Sequence, residues 1–239
     1  MKIAVVGSSR TRSTLLSYYL QSIHPNLKRY DELYTREFAN GNSDLPAITH
    51  ELLKDNNFIV KIMGYNILPP YSPEVFDFRS YDQVHLIERY DFFEQCCSLQ
   101  VSYDTDIWLV KASDVNPRLK QRMMITNRQY TLTAKTIIEL AKDIINYMTI
   151  KSNLIENHIN FTIHTYDQAA KYGNFQTKLV DNRLDYQSLI MNYHLKDKIN
   201  LLFNQHFSYS DNVGDLNCFA QELQKLLGYD QLDSEKLHY

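Results

Sequence analysis

Near its N-terminus the chain carries a short apolar run, rich in β-branched residues, that changes abruptly into a polar loop. Residues 2–7 (KIAVVG) have the composition of a strand buried on both faces, and Gly7 ends it. The polar stretch Ser8–Thr14 follows, and apolar residues then recur at helical spacing as far as Ile23. A strand, a polar loop and a helix in this order favour a fold with a parallel sheet.

The same alternation of strands and helices continues along the chain. Further strands are predicted at 58–63, 83–88 and 160–165, and residues 30–40 are read as a loop or a short helix. Helices are predicted at about 47–55, from a cap at Asp91 to about Tyr103, at 128–158, at about 195–206, and at 214–227 with Gly228 ending the last. This pattern predicts one α/β domain spanning 1–239, a three-layer α/β/α sandwich with a parallel sheet and with added helices in the C-terminal third.

Composition excludes several classes of partner. The formal net charge of −3 gives no overall basic field, so we expect no nucleic acid and no membrane surface as a partner. No apolar run approaches the roughly 18 residues of a membrane span, and the N-terminal run is too short for a signal peptide.

The three cysteines are Cys96, Cys97 and Cys218, an odd number without metal-ligand spacing. We therefore expect a reduced cytoplasmic protein without a metal, in which Cys96 and Cys97 fill the core.

The loop between the first strand and helix has the chemistry of an anion site. A helix N-terminus offers unpaired N–H groups and partial positive charge, which favours phosphate. Ser13 and Thr14 add hydroxyl donors, and Arg10 adds a fork-shaped cation. The alternative is an ordinary hydroxyl cap with two solvated arginines. Gly-Lys-Ser/Thr is absent, which argues against an ATP- or GTP-hydrolysing P-loop.

This loop resembles the 5′-phosphosulfate loop of the sulfotransferase family. That family has a basic residue, a small residue, Gly, two hydroxyl residues and then an apolar helix. Arg10 matches the basic position, Thr11 the small one, and Ser13 with Thr14 the hydroxyl pair, whereas Arg12 stands where the family has Gly. The resemblance implies that the three-layer sandwich is like that of P-loop NTPases. It also implies that the nucleotide is bound by Ser9, Arg10, Thr11, Arg12, Ser13 and Thr14.

A second match lies downstream, where sulfotransferases bind the 3′-phosphate of the nucleotide. There the family has an Arg at a strand end and a Ser on the following helix. The run Arg89-Tyr90-Asp91 and, further on, Ser98-Leu99 resembles this arrangement. The resemblance implies that Arg89 and Ser98 hold the 3′-phosphate. Taken alone, the same residues favour a surface arginine and an ordinary helix serine, and the functional interpretation depends on the first loop.

Two further fragments resemble the bacterial branch of the family that includes trehalose sulfotransferases. Lys61 and Met63 lie in the strand at 58–63 as in that branch, and Glu32 lies where the branch has its catalytic glutamate. The vertebrate cytosolic branch has a catalytic His just after the position of Lys61, but here Met63 and Gly64 occupy that place. Residues 161–167 (FTIHTYD) resemble a strand that ends in Tyr-Glu-Asp in the family, for which we expect a structural role.

The resemblance implies transfer of a sulfonate from 3′-phosphoadenosine 5′-phosphosulfate (PAPS) to a hydroxyl or amine of a carbohydrate or small-molecule acceptor. PAPS is the co-substrate and no metal is expected. Glu32 would be the base, and Lys61 and Arg10 would stabilise charge. The alternatives for these residues are surface or structural ion pairs. The alternatives for the whole chain are a non-catalytic relative that binds a nucleotide or glycan, and a small-molecule kinase of P-loop type. Loops at 64–82 and 104–127 are expected to shape the acceptor pocket.

Overall fold

The computed structural model describes residues 1–31, 33–67, 72–106, 125, 128–172, 185–208, 212, 213 and 215–228. The first half of the chain forms β1 (Lys2–Gly7), α1 (Ser13–Ile23), β2 (Lys28–Tyr30), α2 (Leu33–Ala39), α3 (Leu45–Leu53), β3 (Phe58–Met63), β4 (Gln83–Glu88) and α4 (Phe92–Thr105). The second half forms α5 (Ala134–Glu156), β5 (Thr162–Thr165), α6 (Tyr166–Tyr172), α7 (Tyr186–Leu189), α8 (Lys196–His206), the short strands β6 (Phe207–Ser208) and β7 (Asn212–Val213), and α9 (Leu216–Leu227). Single 3-10 turns lie at Gly64–Asn66, Pro73–Phe76, Phe78–Ser80 and Tyr193–Leu195.

Five of the strands form one parallel sheet in the order β2-β3-β1-β4-β5. The central strand β1 pairs with β3 on one side and β4 on the other, so that Val5 lies between Lys61 and His85. The expected α/β fold with a parallel sheet is therefore confirmed. The sequence did not predict β2, because it is a three-residue edge strand with two basic residues and no apolar run.

Helices cover both faces of the sheet, and the strand residues alternate between them. Ile3 and Val5 of β1 pack with α1 and α6 on one face, where Leu16 and Ala169 are fully buried. Ala4 and Val6 face the larger core on the other side, to which α3, α4, α5, α8 and α9 contribute. Cys96 and Cys97 are fully buried in that core, as expected from the sequence.

Helix ends differ in places from the sequence prediction. The carboxylate of Asp91 caps α4 by accepting from Glu94 N at 3.1 Å, and Gly228 ends α9 in the left-handed conformation, so both signals are confirmed. The helix predicted at 128–158 begins only at Ala134, because Thr133 is its cap and Tyr130 pairs with the backbone beside Ile190. The strand predicted at 160–165 begins at Thr162. None of the helices in the described part of the chain is long and apolar enough to cross a membrane.

Two histidines meet on adjacent strands on the α1 face of the sheet. His85 Nδ1 of β4 lies 3.0 Å from His164 Nε2 of β5, and His85 Nε2 lies 3.1 Å from Gln83 Oε1. One ring must donate and the other accept, so full protonation of both would break the bond. Burial lowers the pKa of His85 to about 4, with His164 and His24 contributing, and burial also lowers the pKa of His164.

We predict that His85 makes the fold less stable in acid. The pKa of His85 lies near 4 in the folded chain and near 6.5 in the unfolded one, so the unfolded chain binds the extra proton first. The stability of the wild type relative to His85→Gln should be constant above pH 6.5 and should fall as the pH drops towards 4. Urea unfolding of both proteins, followed by circular dichroism across this range, measures the difference. A difference that does not change with pH would show that His85 titrates normally.

Candidate functional site

The described residues among those singled out by sequence gather at the carboxyl edge of the sheet. The connections that follow β1, β3, β4 and β5 all begin at this edge, because the four strands are parallel. The connection after β1 leads to β2 on one side of the sheet, whereas the connection after β3 crosses β1 to reach β4 on the other side. The direction in which successive strands are added therefore reverses at β1. Open α/β sheets bind ligands in the crevice at such a reversal, outside the carboxyl ends of the strands.

The loop after β1 has two residues in the left-handed conformation. Arg10 has a φ of 62° and Arg12 a φ of 69°. Arg12 is the residue that stands at the glycine position of the sulfotransferase pattern, and its backbone has the conformation that glycine adopts without strain. For an arginine this conformation costs about 1 kcal/mol. The buried Thr11 between them donates its hydroxyl to Ser8 O at 2.8 Å, which closes the loop on itself.

Helix α1 begins at this loop without a side-chain cap. Arg12 is its N-cap residue, no side-chain hydrogen bond caps the helix, and no acidic residue lies in its first turn. By contrast, carboxylates or a hydroxyl cap α3, α4, α5, α7 and α9. The first turn of α1 therefore keeps the polarity of a helix N-terminus that suits an anion.

Three guanidinium groups, those of Arg10, Arg12 and Arg89, form what we call the arginine cluster. Arg10 Nε donates to Ser98 Oγ at 2.8 Å, and Arg89 Nη1 donates to Arg10 O at 3.3 Å. The guanidinium carbons of Arg12 and Arg89 lie 3.7 Å and 4.1 Å from the ring centroid of Tyr166. Arg12 Nη1 also donates to Tyr166 O at 2.9 Å. The two segments that the sequence assigned separately to the nucleotide are thus in direct contact.

The arginine cluster is partly withdrawn from solvent, since Arg89 is buried and Arg10 and Arg12 are half-buried. Arg89 and Ser98 are 7% and 6% exposed, and Tyr186 lies close enough to interact with Ser98, Arg10 and Arg89. Burial lowers the pKa of Arg10, and the nearby charge of Arg89 lowers it further while Tyr186 opposes the shift. Burial also raises the pKa of Tyr186. Two like charges at close range in a poorly hydrated place create a local potential that favours a multivalent anion.

Lys61 reaches the same loop from β3. Its ammonium donates to Thr14 Oγ1 at 3.0 Å, and Lys61 is only 5% exposed. Lys61 shares the α1 face of the sheet with Ile59, because alternate strand residues point the same way. Ser13 Oγ lies 3.6 Å from Met63 Sδ of the same strand. The predicted residues Lys61, Ser13 and Thr14 therefore lie together at the start of α1.

A buried carboxylate that sequence reasoning did not select supports the loop from the other face. Asp143 of α5 accepts from Ser9 N at 2.5 Å and from Tyr65 N at 2.7 Å. It thus joins the ends of β1 and β3, and it occupies the N–H of Ser9, one of the predicted binding residues. Burial raises the pKa of Asp143 to about 6, although the hydrogen bonds from Ser9 and Tyr65 oppose the shift.

Gln95 of α4 holds the loop as well. Its side-chain nitrogen donates to Ser8 Oγ at 2.9 Å and to the carbonyl of Ser9, and Gln95 is fully buried. In the described part of the chain its Oε1 has no hydrogen-bond partner. The loop after β1 is therefore held by hydrogen bonds to α4 and α5 in the chain without a ligand.

The predicted base, Glu32, lies outside the described residues, and so does most of the predicted acceptor loop at 104–127. The residue before it is held firmly. Asp31 accepts from Ser17 Oγ at 2.6 Å and pairs with Arg29 Nε at 2.6 Å. Arg29 is thus in an ion pair with Asp31.

Sequence reasoning missed three contributors to the site: Asp143, Gln95 and Tyr186. Asp143 did leave a signal, because it lies at helical spacing with the buried Leu140 and Tyr147, where an acidic residue needs a partner. Tyr166 was expected to be structural, and it lies against two of the predicted binding arginines. Gln95 and Tyr186 gave no signal that separates them from ordinary helix residues.

Neither a scan against models of known protein families nor a search of curated protein sequences finds a match to this chain.

We predict that Gly64 is essential to the position of Asp143. A Cβ on Gly64 would lie 2.0 Å from Asp143 O and 2.5 Å from Asp143 Oδ1, distances that only movement of α5 could relieve. Gly64→Ala should therefore lower the free energy of unfolding by about 3 kcal/mol or more. Urea unfolding followed by circular dichroism measures the loss.

Gly41→Ala is the matched control for that substitution. Gly41 has a φ of +82°, and no atom lies within 4 Å of the place that an alanine methyl group would take, so only backbone strain of about 1 kcal/mol is expected. Equal losses in the two variants would contradict the close packing of α5 on the turn after β3.

Proposed function

We propose that the chain is a sulfotransferase that moves a sulfonate group from PAPS to a hydroxyl or amine of a carbohydrate or small-molecule acceptor. The observation that carries the proposal is the contact between Arg10 and Ser98, with Arg89 bonded to Arg10 O. Two segments that resemble separate parts of the sulfotransferase nucleotide site, about eighty residues apart in sequence, adjoin at the carboxyl edge of a parallel sheet. The P-loop-like character of the fold is part of this proposal.

The 5′-phosphosulfate would lie at the start of α1. The uncapped first turn offers N–H donors, and Thr14 and Lys61 lie beside it. The Arg12 side chain does not interfere with this assignment, because its guanidinium is held at Tyr166 and its backbone already has a glycine-like conformation. Arg12 thereby meets the backbone requirement of the glycine that it replaces.

The 3′-phosphate would be held by Arg89 and Ser98. Both are buried, and Arg89 is fixed by its contacts with Arg10 O and the ring of Tyr166. A fixed guanidinium can grip a phosphate with two parallel hydrogen bonds. The dianion would also offset the repulsion between Arg89 and Arg10, which supports a phosphate over a neutral group at this place.

The transfer is an in-line displacement in which an acceptor oxygen bonds to sulfur while the bond from sulfur to the bridging oxygen breaks. The acceptor proton passes to a base, for which Glu32 is the proposed residue. Lys61 and Arg10 would stabilise the negative charge that grows on the leaving phosphate. Such reactions depend mostly on positioning and charge stabilisation, which suits a loop fastened to α4 and α5.

The nucleotide site is tested by calorimetric titration with 3′-phosphoadenosine 5′-phosphate, with AMP and ATP as comparison ligands. The wild type should bind with micromolar affinity and should prefer the 3′-phosphate. Arg89→Ala should weaken binding by about tenfold or more, because a hydrogen-bonded charge is lost, and Ser13→Ala should weaken it as well. Arg89→Lys keeps the positive charge but lacks the paired N–H donors of a guanidinium. Its affinity should therefore lie between those of Arg89→Ala and the wild type.

Arg79→Ala is the control, since Arg79 is exposed and bonds to Asn157 away from the loop. It should bind like the wild type. Circular dichroism of each variant separates lost binding from lost folding. Equal affinity for AMP and for the 3′-phosphorylated nucleotide would remove the basis of the proposal, and preference for ATP with Mg²⁺ would favour the kinase alternative.

Catalysis is tested by transfer of radiolabelled sulfonate from PAPS to a panel of sugars and small alcohols. Glu32→Gln and Lys61→Met should each lower kcat by about a hundredfold or more, as loss of a base or of a charge-stabilising group does. The affinity for 3′-phosphoadenosine 5′-phosphate should change by less than about threefold in Glu32→Gln, since a base acts on the acceptor.

Glu51→Gln and Lys54→Met are matched controls, because these residues form an exposed ion pair at the end of α3. Both should retain wild-type turnover. Nucleotide binding without transfer to any acceptor in the wild type would favour the non-catalytic relative.

A further inference from the structure

Three side chains of metal-ligating type, none of them a member of the arginine cluster, meet at the junction of α8 and α9. His206 is the last residue of α8, while Cys218 lies in the first turn of α9 and Glu222 one turn further on. Cys218 and Glu222 are four residues apart, so they share one face of α9, and that face meets His206. The ligating atoms of all three residues lie within 4.8 Å of one another.

The separations between these atoms are close to those of ligands on one tetrahedral ion. His206 Nε2 lies 3.4 Å from Glu222 Oε2, and Cys218 Sγ lies 3.6 Å from Glu222 Oε1. Zinc bonds of about 2.0 Å to nitrogen or oxygen and about 2.3 Å to sulfur give tetrahedral edges of about 3.3 Å and about 3.5 Å. The two contacts end on different oxygens of Glu222, so binding of one ion would require a rotation of this carboxylate and a closer approach of Cys218 to His206 from within their limit of 4.8 Å.

The donor atoms select the metal. An imidazole nitrogen, a sulfur and a carboxylate oxygen are ligands of zinc, whereas Mg²⁺ and Ca²⁺ take oxygen almost alone. We propose that His206, Cys218 and Glu222 form a Zn²⁺ site that joins the end of α8 to the start of α9. Among the described residues this is the group of three such side chains that meets the distance requirement.

Both helices are suited to hold the ligands in place. The ring of His206 lies 5.9 Å from the ring of Phe219 and 6.1 Å from that of Phe207, and both phenylalanines are fully buried. Asp215 caps α9 by accepting from Asn217 N and Cys218 N, which fixes the turn that carries Cys218. The ligands therefore stand on rigid elements over an apolar floor, while Glu222 remains accessible for metal entry.

Binding would exchange existing contacts for bonds to the metal. The thiol proton that Cys218 now directs at Glu222 would leave to solvent as sulfur bonds to zinc, and three protein ligands would leave a fourth position for water. The sequence predicted no metal, because His206 lies twelve residues before Cys218 and this spacing matches no common pattern. Folding of α8 against α9 brings the ligands together. The site does not depend on the proposed sulfotransferase function.

The test uses the full chain, purified with a chelator and then titrated with zinc against a chromophoric competitor. The wild type should bind one equivalent with submicromolar affinity. Changes in groups that only orient zinc ligands already weaken binding by about 10- to 100-fold, so loss of a ligand in Cys218→Ser or His206→Gln should cost no less. Glu222→Gln should weaken binding in the same direction. His194→Gln, which changes an exposed histidine outside the cluster, should bind like the wild type.

Cobalt substitution supplies an independent readout. The Co²⁺ form of the wild type should show a thiolate-to-cobalt charge-transfer band and the intense visible bands of a tetrahedral ion, and Cys218→Ser should lose the former. Zinc should also raise the melting temperature of the wild type and leave that of Cys218→Ser unchanged. Equal zinc affinity in the wild type and Cys218→Ser, or a cobalt complex without the charge-transfer band, would overturn the proposal.

Discussion

The carboxylate of Asp143 is the contact on which the arrangement of the carboxyl edge depends. It accepts N–H groups from the turns after β1 and β3, so one buried side chain of α5 sets the relative position of two loops. The contact is possible because Gly64 has no side chain where α5 crosses the second turn. Burying the carboxylate is costly, which its raised pKa records, and the two backbone donors offset that cost. Gln95 then fastens the same loop from α4.

Much of the fold could be read from apolar runs and caps. The strands at 58–63 and 83–88 agree with the structure, and so do the cap at Asp91 and the stop at Gly228. The short strand β2 could not be predicted, since three residues with two basic side chains carry no periodicity and their pairing with β3 is a tertiary effect. The start of α5 was placed too early for a related reason. Its upstream residues are held extended by Tyr130, whose backbone bonds to residues some sixty positions away.

The individual segments of the candidate site could be predicted from the sequence, but the contacts between them could not. Local pattern and resemblance drew attention to the loop after β1, to Lys61, and to Arg89 with Ser98. Sequence could not reveal that Arg10 and Ser98 touch, that Tyr166 receives two guanidinium groups, or that Asp143 supports the loop, because each of these contacts joins distant segments. The cluster of His206, Cys218 and Glu222 has the same origin, since a fold can assemble ligands whose spacing along the chain carries no pattern.

The left-handed arginine at the start of α1 has a consequence for the energetics of any ligand at this loop. A glycine at position 12 would adopt the same backbone angles without strain, but it would also leave the loop freer to move in the folded chain. Arg12 accepts a small conformational strain and is tied through its guanidinium to Tyr166. The ordering of the loop thus occurs when the chain folds and not when a ligand arrives. Association at this loop would lose less conformational entropy than at a flexible glycine-rich one, so preorganisation here depends on a side chain.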